Sequence, residues 1–292
     1  MLANPPSQKQ LSSKLDRNDR VSLEVASPLA DRIRLASLAH QRTAAWLLAL
    51  PCKGPIDLRL KADEMQAALK HRLGLPLARP ASICHQCDNE SELDLLGHHH
   101  ITCSANGFPT IRHNRVRDSL YYLCAYAGLS PQKEVSVPVP PDPLDERRHK
   151  MRPADILIRN WSLGKAAAFD LTVVSPLTIE NLSLAGDGDV VKAAEKAKHA
   201  DNDDDCLAAD WKCIPLAVDS YGRWGEEAHE AFLFIASRLA VRTKVSFSIA
   251  LTSIYNALGI QLARYNARAI LAHLPLSECG ARELHQMVSS RS

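Results

Sequence analysis

The chain has 292 residues, 46% of them hydrophobic and 23% charged, with a formal net charge of +2. That length buries one large core and leaves room for a small accessory module. No apolar run reaches the roughly 18 residues that span a bilayer, and residues 1–30 lack a signal-peptide stretch. The expectation is a nuclear or cytoplasmic protein, not secreted and with no membrane partner.

Residues 1–27 are polar and poor in large apolar side chains, and they read as a disordered lead-in. Residues 28–82 read as a helical linker. Its first helix closes on Ala44-Ala45-Trp46-Leu47-Leu48-Ala49-Leu50 before Pro51. Its second covers Asp63 to Leu73, with Met65, Ala68, Leu69 and Leu73 near helical spacing, and Gly74, Pro76 and Pro80 end it.

Residues 83–104 hold Cys84-x2-Cys87-x11-His99-x3-Cys103. Zinc takes four nitrogen or sulfur ligands in a tetrahedron, and a two-residue gap brings two thiolates into one turn. The spacing predicts a closed, structural zinc knuckle. His98, His99 and His100 are consecutive, so the histidine ligand is His99, with His98 as the alternative. The remaining cysteines (Cys52, Cys124, Cys206, Cys213 and Cys279) are scattered and read as mostly small buried hydrophobes.

Residues 105–240 alternate helices and strands, as an α/β core does. Ile111, Val116, Leu120, Leu123 and Ala127 mark an amphipathic helix ended by Gly128, and Glu134 to Val139 alternates like a half-buried strand. Ala154 to Ile158 and Ala166 to Val174 are further strands, joined by a turn around Asn160 to Lys165. The second is almost continuously apolar, like a central strand. Val190 to Ala200 reads as a helix, Asp201 to Asp205 as an acidic loop, Trp211 to Asp219 as a strand and Glu226 to Ala240 as a helix. Residues 241–292 read as C-terminal helices packing on the core, chiefly Phe247 to Leu274.

Asp155 opens one strand and Asp170 sits inside the next, so adjacent strands would bring both carboxylates to one point. Hard cations such as Mg²⁺ or Mn²⁺ take such oxygen ligands. Glu134 would add a third carboxylate, and Lys198, on the following helix with Glu195, a cation to offset charge developing on a phosphate. Arg112, Arg115, Arg117 and the stretch Arg147-Arg148-His149-Lys150-Met151-Arg152 form a candidate basic strip for DNA.

Taken in order, these pieces resemble the C-terminal region of site-specific non-LTR retrotransposon polyproteins, with its restriction-like endonuclease of the PD-(D/E)xK superfamily. The likeness runs through the Cys84/Cys87/His99/Cys103 CCHC knuckle and Arg112-His113-Asn114, then Glu134 and Arg152-Pro153-Ala154-Asp155. It continues through Phe169-Asp170-Leu171-Thr172-Val173, Glu195 with Lys198, and Tyr221-Gly222-Arg223-Trp224-Gly225. It implies a restriction-endonuclease-like α/β fold: a central mixed sheet flanked by helices, with a small zinc knuckle and an N-terminal helical segment. It implies a Mg²⁺-dependent endonuclease that nicks target DNA, with Asp155 and Asp170 as metal ligands, Glu134 assisting and Lys198 as catalytic cation. Arg112 and His113 would lie near the DNA backbone, with Arg115 and Arg152 as further contacts. Element RNA, or a reverse transcriptase supplied elsewhere, would be a partner.

The sequence departs from the family at two points. Ala154 separates Pro153 from Asp155, and Thr172 stands where the superfamily often has its lysine. Nothing before residue 30 resembles a polymerase, so the expectation is a fragment of an element, a degenerate copy or a domain in separate use. Two other readings stand beside the nuclease: a catalytically inactive, zinc-containing nucleic-acid-binding module, and a zinc-stabilised protein adaptor.

Overall fold

A computed structural model describes residues 8–79, 82–87, 91–105, 107–136, 154–162, 164–178, 181 and 189–273, apart from the side chains of residues 9–11 and 24. Its centre is a four-stranded mixed sheet in the order β1-β2-β3-β4, formed by Gln132–Val135, Ala154–Ser162, Lys165–Val174 and Trp211–Asp219. The first three strands are antiparallel neighbours, whereas β4 runs parallel to β3. A parallel pair needs a crossover, and the helix Val190–Ala208 supplies it. Preceding it in the chain are five helices: α1 Gln8–Ala26, α2 Leu29–Leu38, α3 Ala62–Leu73, α4 His98–Thr102 and α5 Phe108–Tyr126. The crossover helix is therefore α6, followed by α7 Glu226–Thr243 and α8 Phe247–Ala272. The fold is α/β with helices on both sides of a mixed sheet.

The alternation of β3 divides the sheet's two faces. Ala167, Phe169 and Leu171 join a large apolar cluster with α5, α7 and α8, including Leu120, Phe232, Ile235, Ile254 and Leu258. Each such buried side chain stabilises the fold by roughly 1.5–3 kcal/mol over exposure. The other face is thinner: Ala154, Leu157 and Ala168 meet Cys213 and, from α6, Cys206. Asp170 lies between Phe169 and Leu171 and so belongs to the α6 side. Its neighbour in β4 is Pro215, tolerated because β4 is the last strand of the sheet.

Four expectations change. The polar segment expected to be disordered is helical over Gln8–Ala26, although Leu15, Val21, Leu23 and Val25 stay exposed. Its Lys, Arg, Leu and Glu residues favour a helix without a core. The first linker helix stops at Leu38, where the Thr43 hydroxyl donates to the carbonyls of Leu38 and His40. Ala45–Leu48 forms a separate 3-10 turn, and Trp46 packs against Gly259 of α8. The acidic segment Asp201 to Asp205 is helix rather than loop: His199 pairs with Asp203 one turn on, and Asn202, Asp205 and Cys206 turn inward. Finally, β1 lies slightly earlier than expected, at Gln132–Val135, and residues 137–139 fall outside the described residues.

No single helix among the described residues is long and apolar enough to cross a membrane. The pair α7 and α8 passes that test only jointly, bent by 118°. Ala228, Phe232 and Ile235 of α7 and Ile254 and Leu258 of α8 are buried in the core.

Candidate functional site

The Cys/His knuckle is built on local turns. Ile83 bridges Glu92, the Cys84 amide donates to the Ser91 carbonyl at 2.8 Å, and the Gln86 amide points at the Cys84 sulfur at 3.4 Å. Asp94 accepts from the amides of His98 at 2.9 Å and His99 at 2.7 Å, which caps α4. Before α4 the chain turns at Gly97, whose φ of +84° suits glycine. A Cβ there would also lie 2.6 Å from Leu77 Cδ1. The short helix then projects His99 and Cys103 from one face.

The ligand atoms of Cys84, Cys87, His99 and Cys103 all lie within 4.8 Å of one another, and this cluster could hold a metal ion such as zinc. His99 Nε2 is 3.7 Å from Cys87 Sγ, whereas both ring nitrogens of His98 are buried outside the cluster without a partner. The geometry therefore selects His99 over His98. Burial pushes the Cys103 thiol up, and charge on Cys84 and Cys87 would push it further, while the Ala105 amide opposes this. Three thiols in so small a space become thiolates together only beside a cation. The knuckle is also tied to the core. Ile101 is fully buried with Leu77 and Ile270, and the Gln86 side chain donates to the Ala272 carbonyl.

The second constellation comes from distant segments. In the sheet register Lys133 pairs with Ile156 and Val135 with Ala154, so Glu134 stands opposite Asp155. Ile156 pairs with Phe169, so Asp155 in turn stands opposite Asp170. The register thus sets the three residues side by side across β1, β2 and β3, but their side chains go to different partners: Glu134 and Asp155 reach α5, and Asp170 reaches α6.

Each has a protein partner. Asp155 Oδ1 is 3.2 Å from His113 Nε2, and its Oδ2 accepts from the Leu171 amide at 2.8 Å. Asp170 Oδ2 meets Lys198 Nζ at 2.9 Å and accepts from Asn202 at 2.6 Å. Burial raises the Asp170 carboxyl above the usual range, and the charge of Asp155 adds to this. The Lys198 ammonium and the Asn202 amide pull the other way. Glu134, at a φ of 52°, reaches the Arg117 guanidinium on α5. Among the described residues no group of three metal-ligating side chains includes Asp155 and Asp170.

The candidate DNA contacts separate. Arg112 is only 4% exposed, and its Nη1 donates to the Ile101 carbonyl and to Asn266 Oδ1. Burial lowers its guanidinium to about 10. It is an internal strut between α4, α5 and α8 rather than a residue that faces DNA. Arg115 lies beside the Tyr265 ring, at the lip of a pocket of about 600 Å³ whose lining carries five basic and three acidic side chains. Arg152 lies outside the described residues, as does Pro153.

The sequence reading missed the contact of His113 with Asp155, the hold of Arg117 on Glu134, and Asn202. The signal for Asn202 was present, since it stands four residues after Lys198. It was hidden because that stretch read as a loop. Comparisons of the chain with family models, curated proteins and solved structures found no match in any of the three.

Proposed function

We propose that the chain is a metal-dependent DNA endonuclease with a structural zinc knuckle, acting at Asp155, Asp170 and Lys198. One observation carries this reading. Two carboxylates from adjacent strands stand in register, and an ammonium from the crossover helix lies 2.9 Å from one of them. Lone buried carboxylates are costly, and Asp170, raised first by burial and then by the charge of Asp155, would gain from a cation beside it. The donors are hard oxygens, which fit Mg²⁺ or Mn²⁺ rather than a soft metal.

Asp155 and Asp170 would hold that ion, which would supply Lewis acidity and an activated water. The chain's own groups do the positioning. His113 and the Leu171 amide fix the two oxygens of Asp155, and Asn202 fixes Asp170. Lys198 is poised to offset charge on the phosphate being cut. Helix α5 links this row to the basic pocket, since it presents His113 and Arg117 to the carboxylates and Arg115 to the pocket lip. Phosphate contacts there would position the duplex without reading sequence. The likeness to the retrotransposon endonucleases, with their restriction-like fold, supplies the substrate: duplex target DNA in the nucleus or cytoplasm. It also supplies the partner, element RNA or a reverse transcriptase from elsewhere.

A second reading, a nucleic-acid-binding module that does not cut, is favoured by the way protein groups already engage both carboxylates. A plasmid-nicking assay with Mg²⁺ or Mn²⁺ on wild type and Asp170→Asn separates the two. The nuclease reading requires metal-dependent nicking by the wild type and its loss in the variant. Salt-sensitive binding without nicking on supercoiled, linear and branched DNA overturns it in favour of the binding module.

A further inference from the structure

Helix α6 carries a second group of metal-binding side chains, one residue round from Lys198 and Asn202. His199, Asp203 and Cys206 stand at i, i+4 and i+7, along one stripe of the helix, and Cys213 reaches them from β4. The ligand atoms of His199, Asp203 and Cys213 all lie within 4.8 Å of one another. The thiols of Cys206 and Cys213 are in hydrogen-bond contact, and both are buried under the thin face of the sheet.

The surroundings of His199 match those of a ligating imidazole. Its Nδ1 lies 2.8 Å from Asp203 Oδ1, and its Nε2 lies 2.6 Å from Glu227 Oε1 at the start of α7. One ring nitrogen therefore faces the cluster while the other can donate its N–H to a carboxylate. That arrangement fixes the tautomer and raises the basicity of a metal-bound histidine.

We propose that His199, Asp203 and Cys213, completed by water, form a second site for a borderline divalent ion such as zinc. Imidazole, carboxylate and thiolate together suit zinc and disfavour Mg²⁺. Access exists, because Asp203 is 56% exposed at its side chain while Cys213 closes the site from beneath. Binding displaces the Cys213 thiol proton to solvent and leaves His199 neutral. The ion cross-links α6 to β4 and so pins the helix that carries Lys198 and Asn202 against Asp170. This proposal does not depend on the nuclease reading.

Without a metal, the same geometry is a His199 imidazolium between two carboxylates. Asp203 and Glu227 do lift its pKa, against the lowering effect of burial. Metal counting on the full chain, purified without chelator and dialysed, tells the two apart. One zinc for each of the two clusters is expected in the wild type. The double variant His199→Gln/Asp203→Asn keeps one of them and Cys87→Ser keeps the other. Cobalt substitution gives a second readout. The Cys87→Ser chain retains a near-ultraviolet thiolate-to-cobalt band, and adding Cys213→Ala abolishes it. A wild type with a single zinc that Cys87→Ser removes overturns the proposal. So does a double variant with an undiminished zinc count, or a Cys87→Ser chain without the cobalt band.

Discussion

The knuckle, which could hold a metal ion, and the carboxylate row, for which a cation is proposed, are assembled in opposite ways. All four knuckle ligands fall between Cys84 and Cys103, on turns that close through their own backbone hydrogen bonds. The row draws on α5, three strands and α6, from His113 to Asn202. The knuckle thiols are crowded against one another, while Asp170 already has an ammonium. A site built locally can leave its charge for a metal to neutralise, because the metal is part of its folding. A site built across a sheet must be tolerable before any ion arrives, so its carboxylates have protein partners.

This contrast is broken most strongly by removing the knuckle's metal. Cys84→Ala, or prolonged chelation, is expected to unfold the segment around α4. Structural zinc contributes on the order of 10 kcal/mol in isolated fingers. Ile101 would lose its burial, and thermal melting and proteolysis between residues 82 and 105 check this. Asp155→Ala, by contrast, is expected to leave the melting temperature within a few degrees of wild type. If both changes unfold the chain alike, the two sites are not different in kind.

Arg112 gives the next largest effect. Arg112→Met leaves the Ile101 carbonyl and Asn266 Oδ1 without their donor, at about 1–3 kcal/mol for each group left unsatisfied. The melting temperature is expected to fall by roughly 5–10 °C. The salt dependence of DNA binding should not change, whereas removing a phosphate contact lowers the slope by nearly one unit. A reduced slope would return Arg112 to the DNA surface.

These two cases show what the sequence disclosed. The knuckle was legible because zinc chemistry dictates ligand type and spacing within one short stretch. The central strand was legible because Ala166 to Val174 is apolar on both faces, and Asp170 stood out against it. Arg112 was misread because a cation's burial depends on acceptors far along the chain, here Asn266. The residues that complete the row, His113, Arg117 and Asn202, depended on β-sheet register and on a helix that its aspartates concealed. The coarse α/β architecture followed from the alternation of periods. The exact strand pairing did not, because the register of β1 on β2 is set by contacts between segments about 20 residues apart.

A smaller change sharpens the role of the ammonium. Lys198→Met should lower nicking by about 100-fold or more, the scale seen when one group stabilising developing charge is lost. Its structural cost depends on pH. Asp170 already titrates above its unfolded value, and losing Lys198 raises it further. The folded state then holds this proton more tightly than the unfolded one, so stability falls as pH rises through the window between the two values. The variant should match wild type in mild acid and melt lower above neutrality.

The smallest effect concerns Glu195, one turn before Lys198 on α6. Burial, then the charge of Glu227, lift its carboxyl to about 7, although the Glu227 amide donates to it at 3.3 Å. It also lies so close to Gly225 that any side chain there would strike its Oε1. In the unfolded chain the group titrates near 4.5. Between 4.5 and 7 the folded state therefore binds the proton more tightly, and stability is lost as pH rises across that window and levels off above it. Glu195→Gln keeps the shape and the acceptor oxygen but cannot ionise. It should melt like wild type at pH 4 and a few degrees higher at pH 8. Equal melting at both would mean that α6 relaxes to hydrate the carboxylate. A variant less stable than wild type at pH 8 would mean that the ionised form of Glu195 is the one the fold favours.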